Sequence, residues 1–446
     1  MKVLLVNPPI YDFSAYDVWL KPLGLLYLSN ILKFYNTEVV LLDCLDRNFF
    51  TYIKPNSNGT GRYPFIFIDK PDIIKNIPLK FKRYGISQKD ILNFFSSNKD
   101  ADYLIITCST TYWYLGVKEI IDLAKKVLPK TKILLGGIYP ILSSKHASQN
   151  FSDKTSKIFY SSDFTELLDY LCLPYKDQYD NFTNFPQPDF SHYKKVFYVT
   201  TRFSYGCRYN CAYCGLKKIH PKYITKSINQ FVNEIRTLYE TTSCQNFVFY
   251  DDELLDSVNI RTTTELFYEL LKLNLPLKFY TPNGINPKFI TKEIAKLMFQ
   301  LGFSDLRLSL ETVSDKVHSI VDKKLFLEDF ELGLNNLFSA GFSPQQISVY
   351  LLLGLPTETI ESIYKNIEFI SKYKIRIRLC ELAIVPHTKM FKDISDEIDP
   401  LLHNNTIFLF NGIPGIIQPI YKFEELQKLK THINQINKLS LTNCYV

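Results

Sequence analysis

The chain has 446 residues, 46% of them hydrophobic, and a formal net charge of +7 from 52 basic and 45 acidic residues. This hydrophobic content supports roughly two to three domains with cores of their own. No apolar run approaches the roughly 18 residues of a membrane span, and the opening stretch before Pro8 is too short for a signal peptide, so we expect a cytoplasmic protein. The charges are spread along the chain, which disfavours nucleic acid as a partner.

The first part of the chain alternates short apolar runs with stretches of helical period. Such runs are typical of buried parallel strands, and the alternation predicts a doubly wound, Rossmann-like sheet over residues 1–178. An insertion over 48–100, rich in Asn, Lys, Phe and Pro, interrupts the alternation, and we expect it to be partly ordered. The predicted strands are residues 2–9, 38–43, 102–110 and 132–137, and the predicted helices are 22–35 and 114–128.

The second part repeats the pattern after a proline-containing linker predicted at 179–197. Six strand-then-helix units predict a partial (β/α)6 barrel over 198–392, in which functional residues gather at the carboxyl ends of the strands. A small helical C-terminal extension is predicted over 393–446. The six predicted strands are "FYVTTRFS" before the cysteines and residues 246–254, 277–284, 305–312, 347–356 and 377–386.

Three cysteines follow the first strand of this barrel in the spacing C-x3-C-x2-C: Cys207, Cys211 and Cys214. The other six occur singly, which is typical of buried thiols in a reducing compartment. Unrelated core thiols are disfavoured by the clustering, and structural zinc by the lack of a fourth ligand, His220 being the only histidine nearby. Three thiolates suit an iron–sulfur cube with one iron left open to a substrate.

The cysteine loop resembles that of the radical S-adenosylmethionine (SAM) enzymes, which carry C-x3-C-x2-C with an aromatic residue before the last cysteine, here Tyr213. The resemblance implies that the three cysteines bind a 4Fe-4S cluster and that SAM chelates the fourth iron. It further implies reductive cleavage of SAM to a 5'-deoxyadenosyl radical, which is chemistry that belongs to the cofactors.

Later segments resemble the strand ends of the same family in the same order: "FVFYDDELL", "RLSLETVSD", "LLLGLPTET" and "AIVPHTKMF". Thr357 and His387 stand where the family usually has glycine. A strand-end carboxylate is also a common helix cap, so structural roles for the acidic residues stay open. The resemblance implies SAM-binding roles for these segments, and the candidate residues are Asp251, Asp252, Asn283, Ser309, Glu311, Gly354, Pro356 and Glu358.

The first part resembles the cobalamin-binding domain that precedes some radical SAM barrels, through "LLVNPP", "KPLGLLYLSNIL", "ITCSTTYWYLGV" and "LLGGIYPILSSKHA". A doubly wound sheet binds a large cofactor at its carboxyl edge. The D-x-H-x-x-G signature is absent, and "YSSDF" stands where relatives show "GEGE". A domain that keeps the sheet without the cofactor therefore stays an alternative. The candidate cobalamin-binding residues are Asn7, Ser109, Thr110, Gly136 and Gly137.

The sequence therefore predicts a radical SAM enzyme. If cobalamin is bound, the predicted enzyme is a transferase, namely a cobalamin-dependent methyltransferase that acts on an unknown small-molecule or peptide substrate. It would need an external electron donor such as flavodoxin or ferredoxin. Two alternatives stay open: a cobalamin-free radical SAM enzyme with a vestigial first domain, and an iron–sulfur electron-transfer or sensor protein. We expect one shared cavity, with the loops after Asn7, Thr110 and Gly137 facing those after Cys214 and Glu311.

Overall fold

The structure, a computed structural model, describes residues 1–174, 185–321, 325–394 and 397–442. The end of the predicted first domain and the start of the predicted linker, together 175–184, lie outside the described residues. Among the described residues, no helix combines the length and the apolar character that crossing a membrane requires.

The first part of the chain folds around a five-stranded parallel sheet in the spatial order 157–158, 132–135, 103–106, 2–7, 38–43. The strands are β1 (Lys2–Asn7), β2 (Ile10–Asp12), β3 (Tyr16–Asp17), β4 (Glu38–Asp43), β5 (Gly61–Arg62), β6 (Phe65–Ile68), β7 (Phe81–Tyr84), β8 (Tyr103–Ile106), β9 (Lys132–Leu135) and β10 (Lys157–Ile158). The helices are α1 (Leu23–Phe34), α2 (Gln88–Ser96), α3 (Tyr114–Val127), α4 (Ile138–Leu142), α5 (Ser144–Phe151) and α6 (Thr165–Tyr170).

This sheet confirms the doubly wound prediction. The four predicted runs form β1, β4, β8 and β9, whose residues are mostly buried because helices cover both faces. The insertion contributes α2 and two strands of a small antiparallel sheet in the order β2-β7-β6, and it pairs β5 with β3. These strand pairings attach the insertion to the segment that follows β1.

The second part forms the predicted barrel and its helical extension. Its strands are β11 (Val199–Thr201), β12 (Ser204–Tyr205), β13 (Ile224–Thr225), β14 (Asn246–Phe249), β15 (Lys278–Tyr280), β16 (Leu306–Glu311), β17 (Ile347–Leu353) and β18 (Arg376–Glu381). Its helices are α7 (Leu216–Ile219), α8 (Ile228–Thr242), α9 (Ile260–Lys272), α10 (Lys292–Gln300), α11 (Asp315–Ile320), α12 (Leu327–Ala340), α13 (Ile360–Ser371), α14 (Asn405–Asn411) and α15 (Phe423–Thr442).

Six of these strands make the barrel wall in two parallel halves, β11-β14-β15 and β16-β17-β18. Single parallel bridges, Phe279 to Phe303 and Ile285 to Leu308, connect the halves. The short antiparallel pair β12-β13 brackets the cysteine loop. The partial (β/α)6 barrel is therefore confirmed, with a narrow seam after its third strand.

The two parts pack against each other through one residue in particular. Trp19, from the loop after β3, is fully buried inside the barrel. Its ring lies 5.1 Å from that of Tyr280 and 4.6 Å from the Arg307 guanidinium. The Tyr250 hydroxyl donates to its carbonyl oxygen at 2.6 Å. These contacts anchor the loop after β3 to the barrel.

Candidate active site

The cysteine loop enters through a turn that requires glycine. Gly206 has φ +80°, and a Cβ there would collide with the carbonyl oxygen of Lys222. Backbone hydrogen bonds then hold the loop, because Met390 donates to the Ala212 carbonyl at 2.9 Å. The Lys217 ammonium donates to the Cys207 carbonyl at 2.5 Å. These contacts involve the backbone of the loop.

Cys207 and Cys211 are half-buried and Cys214 is exposed. The pKa of Tyr213 is raised by burial and by the nearby Glu311, Cys211 and Cys214 side chains, so these four groups lie together. Among the described residues, no three His, Cys, Asp or Glu side chains converge as a metal-binding group. The role of the cysteines as cluster ligands stays a prediction.

The two aspartates after β14 hold the start of this loop. Asp251 accepts hydrogen bonds from the Ser204 amide and hydroxyl, both at 2.6 Å, and burial raises its pKa to about 6. Asp252 accepts from the Gly206 amide at 2.9 Å and from Arg202 at 3.2 Å. Asn283 donates to the Asp251 carbonyl at 2.8 Å. The structure shows positioning contacts for both aspartates, and their contact with SAM stays a prediction.

The end of β16 is strained. Glu311 has φ +63°, which is uncommon for a residue other than glycine, and the register shifts between Ser309 and Glu311. Ser309, two residues earlier in the same strand, is buried. Such strain is often stored at functional sites, and the half-buried Glu311 lies near enough to Tyr213 to raise the pKa of its hydroxyl.

The two positions where the family usually has glycine also have positive φ. Thr357 lies at +65° and His387 at +67°, in the left-handed region that favours glycine. Gly354 lies at +94°, and Pro356 is half-buried between it and Thr357. The backbone at both positions therefore has a conformation that glycine favours, although neither residue is glycine.

Glu358 follows that turn and is buried. Its Oε1 accepts from Asn366 at 3.2 Å, whereas its Oε2 has no partner. Burial raises the pKa of Glu358 to about 6. A buried carboxylate oxygen without a donor is a suitable neighbour for a cationic ligand.

One cavity of about 410 Å³ lies between the first sheet and the barrel. The prediction of a shared cavity is confirmed for the segment after Cys214, because Ile219 and His220 contribute to the wall, and it is wrong for the loop after Glu311. The segment after Glu311 is not among its lining residues. From the first sheet the lining includes Asn7, Ser109, Thr110, Gly136 and Gly137, and from the barrel it includes Arg202, Tyr205, Ile219, His220 and Tyr250.

The two glycines of the cavity floor differ. A Cβ on Gly136 would meet no atom within 4 Å, so this position faces open space. Gly137 has φ +95°, and a Cβ there would lie 2.6 Å from the Cys108 nitrogen. Gly136 therefore opens the floor, and Gly137 allows the backbone to pass close to its neighbour.

Three charged or titratable residues of the cavity wall were not predicted. The Lys21 ammonium lies 3.8 Å from the Tyr193 ring centroid and 3.4 Å from Asp43. Arg202 pairs with Asp252, and burial lowers the pKa of His220 to about 3, which keeps its imidazole neutral. Arg202 and His220 could have been found from the sequence, because one lies shortly before the cysteine cluster and the other shortly after it.

A family model of the radical SAM superfamily matches residues 201–370, which is less than half of the chain. A curated relative, the ribosomal protein uS12 methylthiotransferase RimO of Clostridioides difficile (strain 630), is 22% identical over 174 residues. That match covers 38% of this chain and 39% of the relative, so it spans well under half of that protein's length.

Two solved structures share the fold over almost the whole chain. The radical SAM methyltransferase TsrM from Kitasatospora setae, with cobalamin and a 4Fe-4S cluster bound, is 14% identical with a TM-score of 0.67, covering 96% of this chain and 90% of TsrM. The cobalamin-dependent radical SAM enzyme OxsB, with aqua-cobalamin and SAM bound, is 14% identical with a TM-score of 0.55, covering 97% of this chain and 61% of OxsB. At these identities the likeness establishes the fold.

Proposed function

We propose that this chain is a radical SAM enzyme, namely a cobalamin-dependent methyltransferase that acts on a small-molecule or peptide substrate. The match of the radical SAM superfamily model to residues 201–370 supports the first part of the proposal. The observation that carries the proposal is the cavity between the carboxyl edge of the first sheet and the cysteine-loop side of the barrel. Its position would bring a cofactor of the first sheet next to one held by the cysteines.

The cysteine loop fits a 4Fe-4S cluster by its donor set. Cys207, Cys211 and Cys214 offer three thiols on one half-exposed loop whose backbone is held by other groups. Thiolates are the usual ligands of such clusters, and three leave one iron for SAM. Glu311 and the unpartnered Oε2 of Glu358 would favour the positive sulfonium and ammonium groups of SAM.

The cavity fits cobalamin by its floor. Gly136 faces open space that a large side chain would fill, and Ser109 and Thr110 offer hydroxyl groups at the same edge. Residues 161–163, within the segment that stands in place of "GEGE", also line the cavity, and the Ser162 hydroxyl donates to the Ile219 carbonyl at 2.7 Å. That contact joins the first domain directly to the helix after the cysteines.

When bound, the cluster and SAM supply a 5'-deoxyadenosyl radical and cobalamin supplies a methyl carrier. The chain itself supplies position and exclusion of water. Trp19 blocks the barrel below the cavity, and Tyr250 and Arg202 close its barrel side. The neutral imidazole of His220 packs 3.9 Å from the Tyr205 ring, which adds an uncharged wall.

The alternatives make different demands on this cavity. A first domain that had lost its cofactor is expected to fill its carboxyl edge with side chains, whereas Gly136 leaves the floor open. An electron-transfer or sensor protein needs the cysteines but no cavity of this size behind them. The open floor therefore favours the cobalamin-dependent enzyme.

Substitution at the floor tests the proposal. Anaerobically reconstituted wild-type protein and Gly136→Ala should bind hydroxocobalamin, as followed by its visible spectrum, whereas Gly136→Trp should not. Iron content and SAM cleavage should be the same in all three. Gly137→Trp is unsuitable because its Cβ would strike the backbone of Cys108. Equal cobalamin binding by wild type and Gly136→Trp would contradict the proposed site.

A further inference from the structure

The amino ends of the barrel strands carry an unbalanced group of arginines. The Asp305 carboxylate accepts from Arg376 at 2.8 Å, from Arg378 at 2.7 Å and from Arg307 at 3.2 Å. Asp305 itself has φ +49°, an uncommon conformation that brings its carboxylate to this position. One negative charge is thus shared by three guanidinium groups.

These guanidinium groups keep unused donors although they are largely removed from water. The side chain of Arg307 is 6% exposed, and those of Arg376 and Arg378 are 28% and 30% exposed. The Nε atoms of Arg307 and Arg376 are buried without an acceptor. Buried charge is costly unless it is paired. Here three positive guanidinium groups share one carboxylate, so the cluster has an excess of positive charge.

A second cavity, of about 620 Å³, opens beside the group. Arg376 and Lys278 line it, and Asp305 is the only acidic residue among the lining residues that the structure describes. The remaining polar wall comes from neutral donors: Ser57, Asn58, Ser304, Gln345 and Gln346. A loop of the insertion therefore forms one side of the cavity and the barrel forms the other.

We propose that this second cavity binds a small organic polyanion, either a phosphate ester or a polycarboxylate. Of the three arginines, Arg376 is the one among the lining residues that the structure describes, and Arg307 and Arg378 contact it through the shared Asp305. A planar guanidinium binds either oxyanion through paired hydrogen bonds, and Lys278 adds an ammonium on a flexible side chain. The site lies at the amino ends of β15, β16 and β18, opposite the cysteine loop. It is therefore separate from the proposed methyl-transfer site and goes beyond that function.

Trp19 connects this site to the fold around it. Its indole Nε1 donates to the Asn58 carbonyl at 2.8 Å, and the Asn246 amide donates to the Ser57 carbonyl at 3.1 Å. The ligand would thus hold the insertion loop against the barrel wall. Binding is expected to stabilise the full chain, because a ligand stabilises the state that it binds.

Calorimetric titration of the full-length reconstituted protein tests the site, with inorganic phosphate and citrate as separate probes at an ionic strength held constant with chloride. We expect saturable binding of at least one probe, and the tighter probe identifies the phosphate or carboxylate class. Arg376→Gln should weaken binding about tenfold. Arg261→Gln, which removes the same charge at a side chain 90% exposed, should leave it unchanged.

Lys278→Gln gives an independent variant, since Lys278 is exposed and its replacement leaves the arginine group intact. Lys278→Gln should weaken binding of the probe about threefold. If Arg376→Gln does not fold, the titration of Lys278→Gln still tests the proposal. SAM affinity should be unchanged in Lys278→Gln, which separates this site from the proposed function. Absence of saturable binding of both probes, or equal affinities in Lys278→Gln and Arg261→Gln, would overturn the proposal.

Discussion

The two ends of the barrel differ in the charged side chains that they carry. At or just after the carboxyl ends of the strands lie four acidic residues, of which Asp252 is paired with Arg202: Asp251, Asp252, Glu311 and Glu358. At the amino ends, three arginines share Asp305. The same repeated unit therefore offers one end suited to a cationic cofactor and another suited to an anion.

The ends also differ in how their side chains are held. Asp251, Asp252 and Glu358 lie in segments that follow the strands, and Glu311 is the last residue of β16, where it adopts a positive φ. The arginines lie within β16 and β18, where the strand backbone fixes them. Loops can vary to suit a reaction, whereas residues within strands are constrained by the packing of the barrel. The comparison predicts that substitutions at one end leave the ligand of the other end unaffected.

The largest effect is expected at the cysteine loop. Cys211→Ala should reduce iron well below the roughly four atoms per chain of a cube and abolish cleavage of SAM to 5'-deoxyadenosine. Phosphate or citrate binding at the opposite end should persist. Cys172→Ser, at an exposed single cysteine, is the matched control and should retain both activities. An equally stable cluster with unchanged SAM cleavage in Cys211→Ala would show that the ligand assignment is wrong.

A smaller effect is expected for the carboxylate beside Tyr213. Glu311→Gln should weaken SAM binding by about 1.5 to 3 kcal/mol, since a hydrogen bond to a charged group contributes roughly that much. Equilibrium binding of SAM to the reconstituted protein measures it. Glu361→Gln, at an exposed carboxylate in the first turn of α13, and Arg376→Gln should bind SAM as the wild type does. Unchanged affinity in Glu311→Gln would leave Glu311 with a structural role.

Glu358 should make stability depend on pH. Its folded-state pKa, about 6, exceeds the ordinary value of 4.5, so the folded state favours the protonated acid. The free energy of unfolding should therefore fall as the pH rises from about 4.5 to 6 and stay at the lower value above. Glu358→Gln should remove this dependence. The free energy of unfolding of the variant minus that of wild type should be about 1 to 2 kcal/mol larger above pH 6 than below pH 4.5.

Thermal unfolding of the SAM-free protein at several pH values measures this change. Glu328→Gln, an exposed carboxylate in the first turn of α12, is the control and should follow the wild-type profile. Parallel profiles for Glu358→Gln and wild type would contradict the assigned burial of this carboxylate.

The smallest effect concerns the strained turn. Thr357→Gly should stabilise the chain by up to about 1 kcal/mol, because it relieves a positive φ at a β-branched residue, partly offset by greater freedom of the unfolded chain. Thr359→Ala should destabilise by about 1 kcal/mol, because the Thr359 hydroxyl caps α13. Shifts of the melting temperature in opposite directions are expected, and a destabilised Thr357→Gly would contradict the strain argument.

Much of the architecture could be predicted from the sequence because buried parallel strands are nearly continuous apolar runs. The run at 38–43 coincides with β4, and 347–356 contains β17. Strand ends could be predicted too, since β/α folds gather polar residues there. Strand β10 was missed because two residues carry no pattern, and the antiparallel sheet because β2 pairs with residues about 70 positions away.

The cavity walls were harder to predict than the strands. Trp19 enters the barrel from a loop, and no periodicity indicates such a contact. The arginine group did leave a signal, since Arg376 and Arg378 alternate in β18 and must face the same side of the strand. Their sharing of Asp305 depends on pairing between strands, which the sequence pattern does not contain.

The central claim is that the cysteine loop and the first sheet hold two cofactors on either side of one cavity. Electron paramagnetic resonance of the full chain loaded with cob(II)alamin and a reduced 4Fe-4S cluster tests it most directly. We predict that the cob(II)alamin signal relaxes faster and broadens when the cluster is reduced, and that this change disappears in Cys211→Ala. Two independent signals, with the cob(II)alamin spectrum identical whether or not the cluster is reduced, would contradict the shared cavity.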